Sequence, residues 1–69
     1  MDKKEDMIKT LIKIREEQGI SQRQLAEMSG IKQPAIARLE SGRAVPNIVT
    51  LKKLLTPLGY TLTISQIND

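Results

Sequence analysis

Side chains able to do chemistry are few in this sequence, and nearly all of them are cations or amides. It holds no histidine and no cysteine, and its three aspartates, Asp2, Asp6 and Asp69, stand near the ends. A general base, a metal site and a thiol nucleophile therefore lack their usual parts, and neither catalysis nor a metal or cofactor is expected. Binding through charge remains. Residues 1–19 carry five bases against five acids, whereas residues 20–59 carry six bases (Arg23, Lys32, Arg38, Arg43, Lys52, Lys53) against Glu27 and Glu40. A local excess of this kind is the footprint of a polyanion-facing surface, although a plain solvated face can carry it too. One tyrosine and no phenylalanine or tryptophan leave no stacking platform for single strands, which makes duplex DNA the expected polyanion.

The elements that must hold these residues are short helices. Ile8, Leu11 and Ile12, with Met7 and Ile14 beside them, recur at helical spacing and predict a first helix from about Asp6 to Gln18, closed by Gly19. Ser21-Gln22-Arg23-Gln24 has the form of a capping box and predicts a second helix over about 21–29, stopped at Ser29-Gly30. A third is expected over about 33–41, with Pro34 in its first turn, where a missing N–H removes no intrahelical bond, and Gly42 past its end. Asn47 suits the cap of a fourth helix, whose apolar stripe is Ile48, Leu51, Leu54, Leu55 and Leu58; Pro57 should kink or fray its last turn before Gly59.

After Gly59 the period falls to two. Tyr60, Leu62 and Ile64 alternate with Thr61, Thr63 and Ser65, which predicts a strand. The chain therefore divides into a helical domain, 1–59, and a strand and tail, 60–69. A lone strand leaves its amides and carbonyls unpaired, so its expected partner is the same segment of a second copy; the alternative is a polar tail. A chain of 69 residues without a disulfide framework also needs close helix packing or a dimer to be stable. No apolar run approaches a membrane span or a signal segment, and the absence of cysteine suits a reducing compartment, so a soluble cytoplasmic protein that does not engage membranes is expected.

Arg15 and Glu40 each fall in the inward register of their helices. An unpaired charge there is costly, so the two are expected to form a structural ion pair. The inward candidates Leu11, Ile12, Ile20, Leu25, Ala26, Ile36, Leu39, Leu51, Leu54, Leu55 and Leu58 form the expected core.

The most informative stretch is Ser21-Gln-Arg-Gln-Leu-Ala-Glu-Met-Ser-Gly-Ile-Lys-Gln-Pro-Ala-Ile-Ala-Arg-Leu-Glu-Ser-Gly-Arg43: a capped helix, a glycine turn, and a second helix with an inward Ile and Leu. Physically this is a helix-turn-helix. Over about residues 6–59 the chain resembles the Cro/C1-type (XRE) family of DNA-binding domains, which implies a mainly α, four-helix, λ-repressor-like fold. The resemblance makes the third helix the recognition helix, lying in the major groove. It places Lys32, Gln33, Pro34, Ala37 and Arg38 at base edges: Gln33 suits adenine, Arg38 suits guanine or a phosphate, and Pro34 and Ala37 suit thymine methyls. Gln22, Arg23, Ser41, Arg43 and Asn47 are expected along the backbone, with Gln22 also bracing Gln33. Lys52 and Lys53 stay open between phosphate and solvent. Lys32 departs from the Ser or Thr that commonly caps the recognition helix in this family.

The ending, Leu55-Thr-Pro-Leu-Gly-Tyr-Thr-Leu-Thr-Ile64, resembles the DNA-binding antitoxins of the HigA and HipB types, which dimerise through this region. Pro57 departs from their usual end of the fourth helix. The resemblance implies a homodimeric repressor of bacterial or phage origin, specific for an inverted-repeat operator with half-sites about one helical turn apart, that also neutralises a cognate toxin. Two other readings stay open: a stand-alone phage repressor or restriction-modification controller with no toxin, and a protein-interaction scaffold that does not bind DNA.

Overall fold

The computed structural model describes residues 3–62, with side-chain environments from residue 7 onward. Four α-helices follow one another: α1 (Lys3–Glu17), α2 (Gln22–Ser29), α3 (Gln33–Glu40) and α4 (Ile48–Leu55), the last running into a single 3-10 turn, Thr56–Leu58. α1 begins about a turn before the expected Asp6, because Lys3, Lys4 and Glu5 are straight-chain helix formers with nothing to stop them.

The short helices owe their limits to local chemistry. Ser21 closes a complete capping box, its hydroxyl accepting from the Gln24 amide at 3.0 Å while the Ser21 amide donates to the Gln24 side chain at 2.8 Å. Gly30 ends α2 at φ +78°, a left-handed conformation that any side chain would strain, and this sharp exit swings the chain into α3. Pro34 sits in the first turn of α3, and Lys32 precedes it in extended backbone without a side-chain cap bond. Asn47 caps α4, its Oδ1 accepting from the Thr50 amide at 2.9 Å. Pro57 falls inside the 3-10 turn, so the missing N–H is absorbed by a change of winding at the end of α4.

Ile8, Leu11, Leu25, Ile36, Leu39, Leu51, Leu54, Leu55 and Leu58 form one buried core to which every helix contributes. Each such side chain contributes about 1.5–3 kcal/mol of burial, the main force available to a chain this short. Ile12, Ile20 and Ala26 pack against its rim, together with Ile14, Ile31, Ala44 and Leu62. Ile48, expected in the stripe of α4, is instead 61% exposed: as the first residue of that helix it lies beyond the packed stretch.

Tyr60, Thr61 and Leu62 adopt no strand in the described residues. An isolated segment has no ladder to join, and Leu62 folds back onto the core. Ile64 lies outside the described residues. Beside this segment an open apolar groove of about 250 Å³ is lined by residues that include Met7, Leu11, Ile14, Leu55, Tyr60 and Leu62.

Candidate nucleic-acid interface

α3 is locked to α1 by Arg15 and Glu40. The guanidinium donates from Nε to Glu40 Oε2 at 2.8 Å and from Nη2 to Oε1 at 2.7 Å, a two-pronged pair whose side chains are only 11% and 7% exposed. Its Nη1 donates to the Ile20 carbonyl at 2.8 Å, so one side chain of α1 also holds the α1–α2 loop. The hydrogen bond to Glu40 raises the Arg15 pKa above its ordinary value against the opposing effect of burial, and the charges of Glu40 and Glu16 add to the rise. The expected ion pair is therefore present, and it fastens α1 to the end of α3. Gln18 adds a second tie, its amide donating to the Leu58 carbonyl at 2.8 Å.

With Ile36 and Leu39 buried, α3 turns its other face to solvent. Lys32, Gln33, Pro34, Arg38 and Ser41 are exposed there and Ala37 is half-buried. The Arg38 carbonyl anchors the exit of the helix, accepting from the amides of Arg43 at 2.8 Å and Ala44 at 3.3 Å and from the Ser41 hydroxyl at 3.1 Å. These bonds set Arg43 directly beyond α3 while its side chain stays exposed. They also commit the one hydroxyl proton of Ser41, which limits it as a donor to a phosphate. Asn47 spends its oxygen on the cap of α4 and keeps its amide nitrogen free to donate.

Among the described residues, Lys32, Arg38, Arg43, Lys52 and Lys53 form no ion pair. Arg23 approaches Glu27 at 3.8 Å in a solvent-exposed i,i+4 pair of little strength. Three unneutralised cations, at positions 32, 38 and 43, thus frame the outward face of α3, an arrangement that can attract a polyanion and present side chains to it. Gln22 differs from expectation: its Nε2 donates to Glu40 Oε1 at 3.0 Å and is directed at that carboxylate, not at Gln33. A nearly buried carboxylate with two strongly accepting oxygens captures the nearest donor, and α2 brings that donor in.

A Helix-turn-helix family model matches residues 11–65 of the chain. The chain belongs to the Cro/C1-type helix-turn-helix family. Its helix-turn-helix is similar to that of an uncharacterized HTH-type transcriptional regulator of Haemophilus influenzae, 57% identical over 58 residues, which cover 84% of this chain and 59% of that protein. It is also similar to the HTH-type transcriptional regulator PuuR of Escherichia coli, 46% identical over 55 residues, covering 80% of this chain and 30% of the relative. The chain thus spans less than two thirds of the length of either. Among solved structures, a toxin–antitoxin module from Streptococcus pneumoniae superposes with a TM-score of 0.78 at 44% identity, over 96% of this chain and 73% of that one. The four-helix fold expected from the sequence is the fold of this helix-turn-helix family, whose members are transcriptional regulators and not enzymes.

Proposed function

We propose that the chain is a sequence-specific duplex-DNA-binding repressor, active in the cytoplasm as a homodimer, and that it is the antitoxin of a toxin–antitoxin pair. The observation that carries the DNA reading is the outward face of α3, where Gln33 and Arg38 stand exposed between unpaired cations and the nearly buried Arg15–Glu40 pair holds the helix from behind. Lys32, Gln33, Pro34, Ala37 and Arg38 are assigned to base edges in the major groove. Gln22, Arg23, Arg43 and Asn47 are assigned to phosphates, with Ser41 a weaker member because its proton is committed to Arg38.

A second copy would seat along the groove edged by Tyr60 and Leu62, bringing two recognition helices to an inverted repeat with half-sites roughly 34 Å apart. The antitoxin assignment rests on the similarity to the Streptococcus pneumoniae toxin–antitoxin module. The test is fluorescence anisotropy with DNA from upstream of the chain's own gene against a scrambled duplex. Preference for the upstream DNA by a factor of about 10³ or more is expected; equal weak binding of both duplexes refutes the repressor reading. Co-expression with the neighbouring gene product should yield a complex if that product is the toxin.

A further inference from the structure

The bond between Gln22 and Glu40 has a consequence for DNA binding that neither residue carries alone. Arg15 occupies both oxygens of Glu40, at 2.7 and 2.8 Å, and is itself held by the Ile20 carbonyl, so the carboxylate plane cannot turn. Gln22 meets this fixed carboxylate at 3.0 Å. A carboxylate paired with a guanidinium only accepts, so the end of the Gln22 amide that faces it must be the nitrogen. The amide of a free surface glutamine can flip; this one has its polarity set. Its second N–H and its oxygen are left for whatever lies outside α2.

We infer that Glu40 is a positioning residue for DNA binding: through its hydrogen bond it presets the Gln22 amide, nitrogen toward the carboxylate, so that the remaining N–H is presented to a backbone phosphate. The inference rests on the DNA-binding reading above and deepens it. It explains how an uncharged side chain can contribute to binding a polyanion, since an amide already ordered loses little rotamer entropy when the phosphate arrives. It also assigns the Arg15–Glu40 pair a task besides fastening α1 to α3.

The charge of Glu40 makes the inference testable by sign. Glu40→Gln removes a negative charge from a DNA-binding chain, which by long-range electrostatics alone favours DNA. Release of Gln22 acts the other way. Four proteins are compared by anisotropy on the upstream duplex, each below its own melting temperature: wild type, Gln22→Ala, Glu40→Gln and the double variant. Each single variant is expected to lose about tenfold in affinity, with the double variant no weaker than the singles. Because Gln22 is uncharged, Gln22→Ala should leave the salt dependence unchanged. Unchanged or tighter binding by Glu40→Gln, or losses that multiply in the double variant, would overturn the inference.

A measurement on the free wild-type protein needs no variant to fold. The side-chain amide protons of Gln22 should exchange with solvent at least about tenfold more slowly than those of exposed Gln33. Equal exchange rates with preserved preference for the upstream duplex overturn the role of Glu40 and leave the DNA reading intact. A protected Gln22 amide in a chain that does not distinguish the two duplexes overturns the DNA reading, and the proposed role with it.

Discussion

Arg43→Ala separates a phosphate contact from a structural one. The residue is exposed and forms no ion pair among the described residues, and the bond that fixes its place runs from its backbone amide to the Arg38 carbonyl at 2.8 Å. Truncating the side chain leaves that bond intact, so the melting temperature should hardly move. Each cation that neutralises a phosphate adds about 0.9 to the slope of log affinity against log salt, so a dimer losing two such contacts should lose about 1.8. Over a salt range from about 50 to 200 mM this makes the wild type lose roughly tenfold more affinity than the variant does, so the two converge at high salt. The assay is anisotropy across that series with upstream and scrambled duplexes. Both should weaken alike, because a phosphate contact carries no sequence information. An unchanged slope, or a loss confined to the upstream sequence, would refute the assignment.

The other expectations concern bases, core and ion pair. Gln33→Ala and Arg38→Ala should each relax discrimination at one base position per half-site by about 1–3 kcal/mol, visible in competition with single-base variants of the bound DNA; uniform weakening of every duplex would move the residue to the backbone class. Leu54, wholly buried, should cost about 2–5 kcal/mol on truncation to Ala, and a thermal melt that shifts by less than about 5 °C would contradict its place in the core. Arg15→Met strands a nearly buried carboxylate and should cost about 3–5 kcal/mol in urea unfolding. Since the folded-state pKa of Arg15 is raised, its contribution is present at every pH below the ordinary arginine value and is lost only as pH rises through the raised one. The gap between wild type and Arg15→Met should therefore stay level between about pH 6 and 9, and a gap that closes in that window would mean another group carries the effect.

The limits of the helices could be read from the chain alone because the signals that set them are local. A capping box needs only residues three apart, Ser21 and Gln24; Gly30 and Pro34 act through their own backbone; and the inward positions of α2 and α3 follow from 3.6-residue periodicity. The family could be read for the same reason, since its motif lies within residues 21–43. Even the Arg15–Glu40 pair was legible, because a charge in an inward register demands a partner and the sequence offers one.

Tertiary structure decided what depends on contacts between segments far apart in the chain. Gln22 reaches Glu40 across 18 residues and Gln18 reaches the Leu58 carbonyl across 40, and no periodicity encodes either meeting. Ile48 shares the spacing of the buried leucines yet stands in solvent, because spacing gives the face of a helix but not how far along it the neighbours extend. Ile31 and Ala44, which lie in turns, pack on the core for the converse reason: what buries them is the helices the turns join. Local steric and hydrogen-bonding rules set the elements of this protein. The partner of each polar group near the candidate interface was set by which surfaces the hydrophobic core drew together.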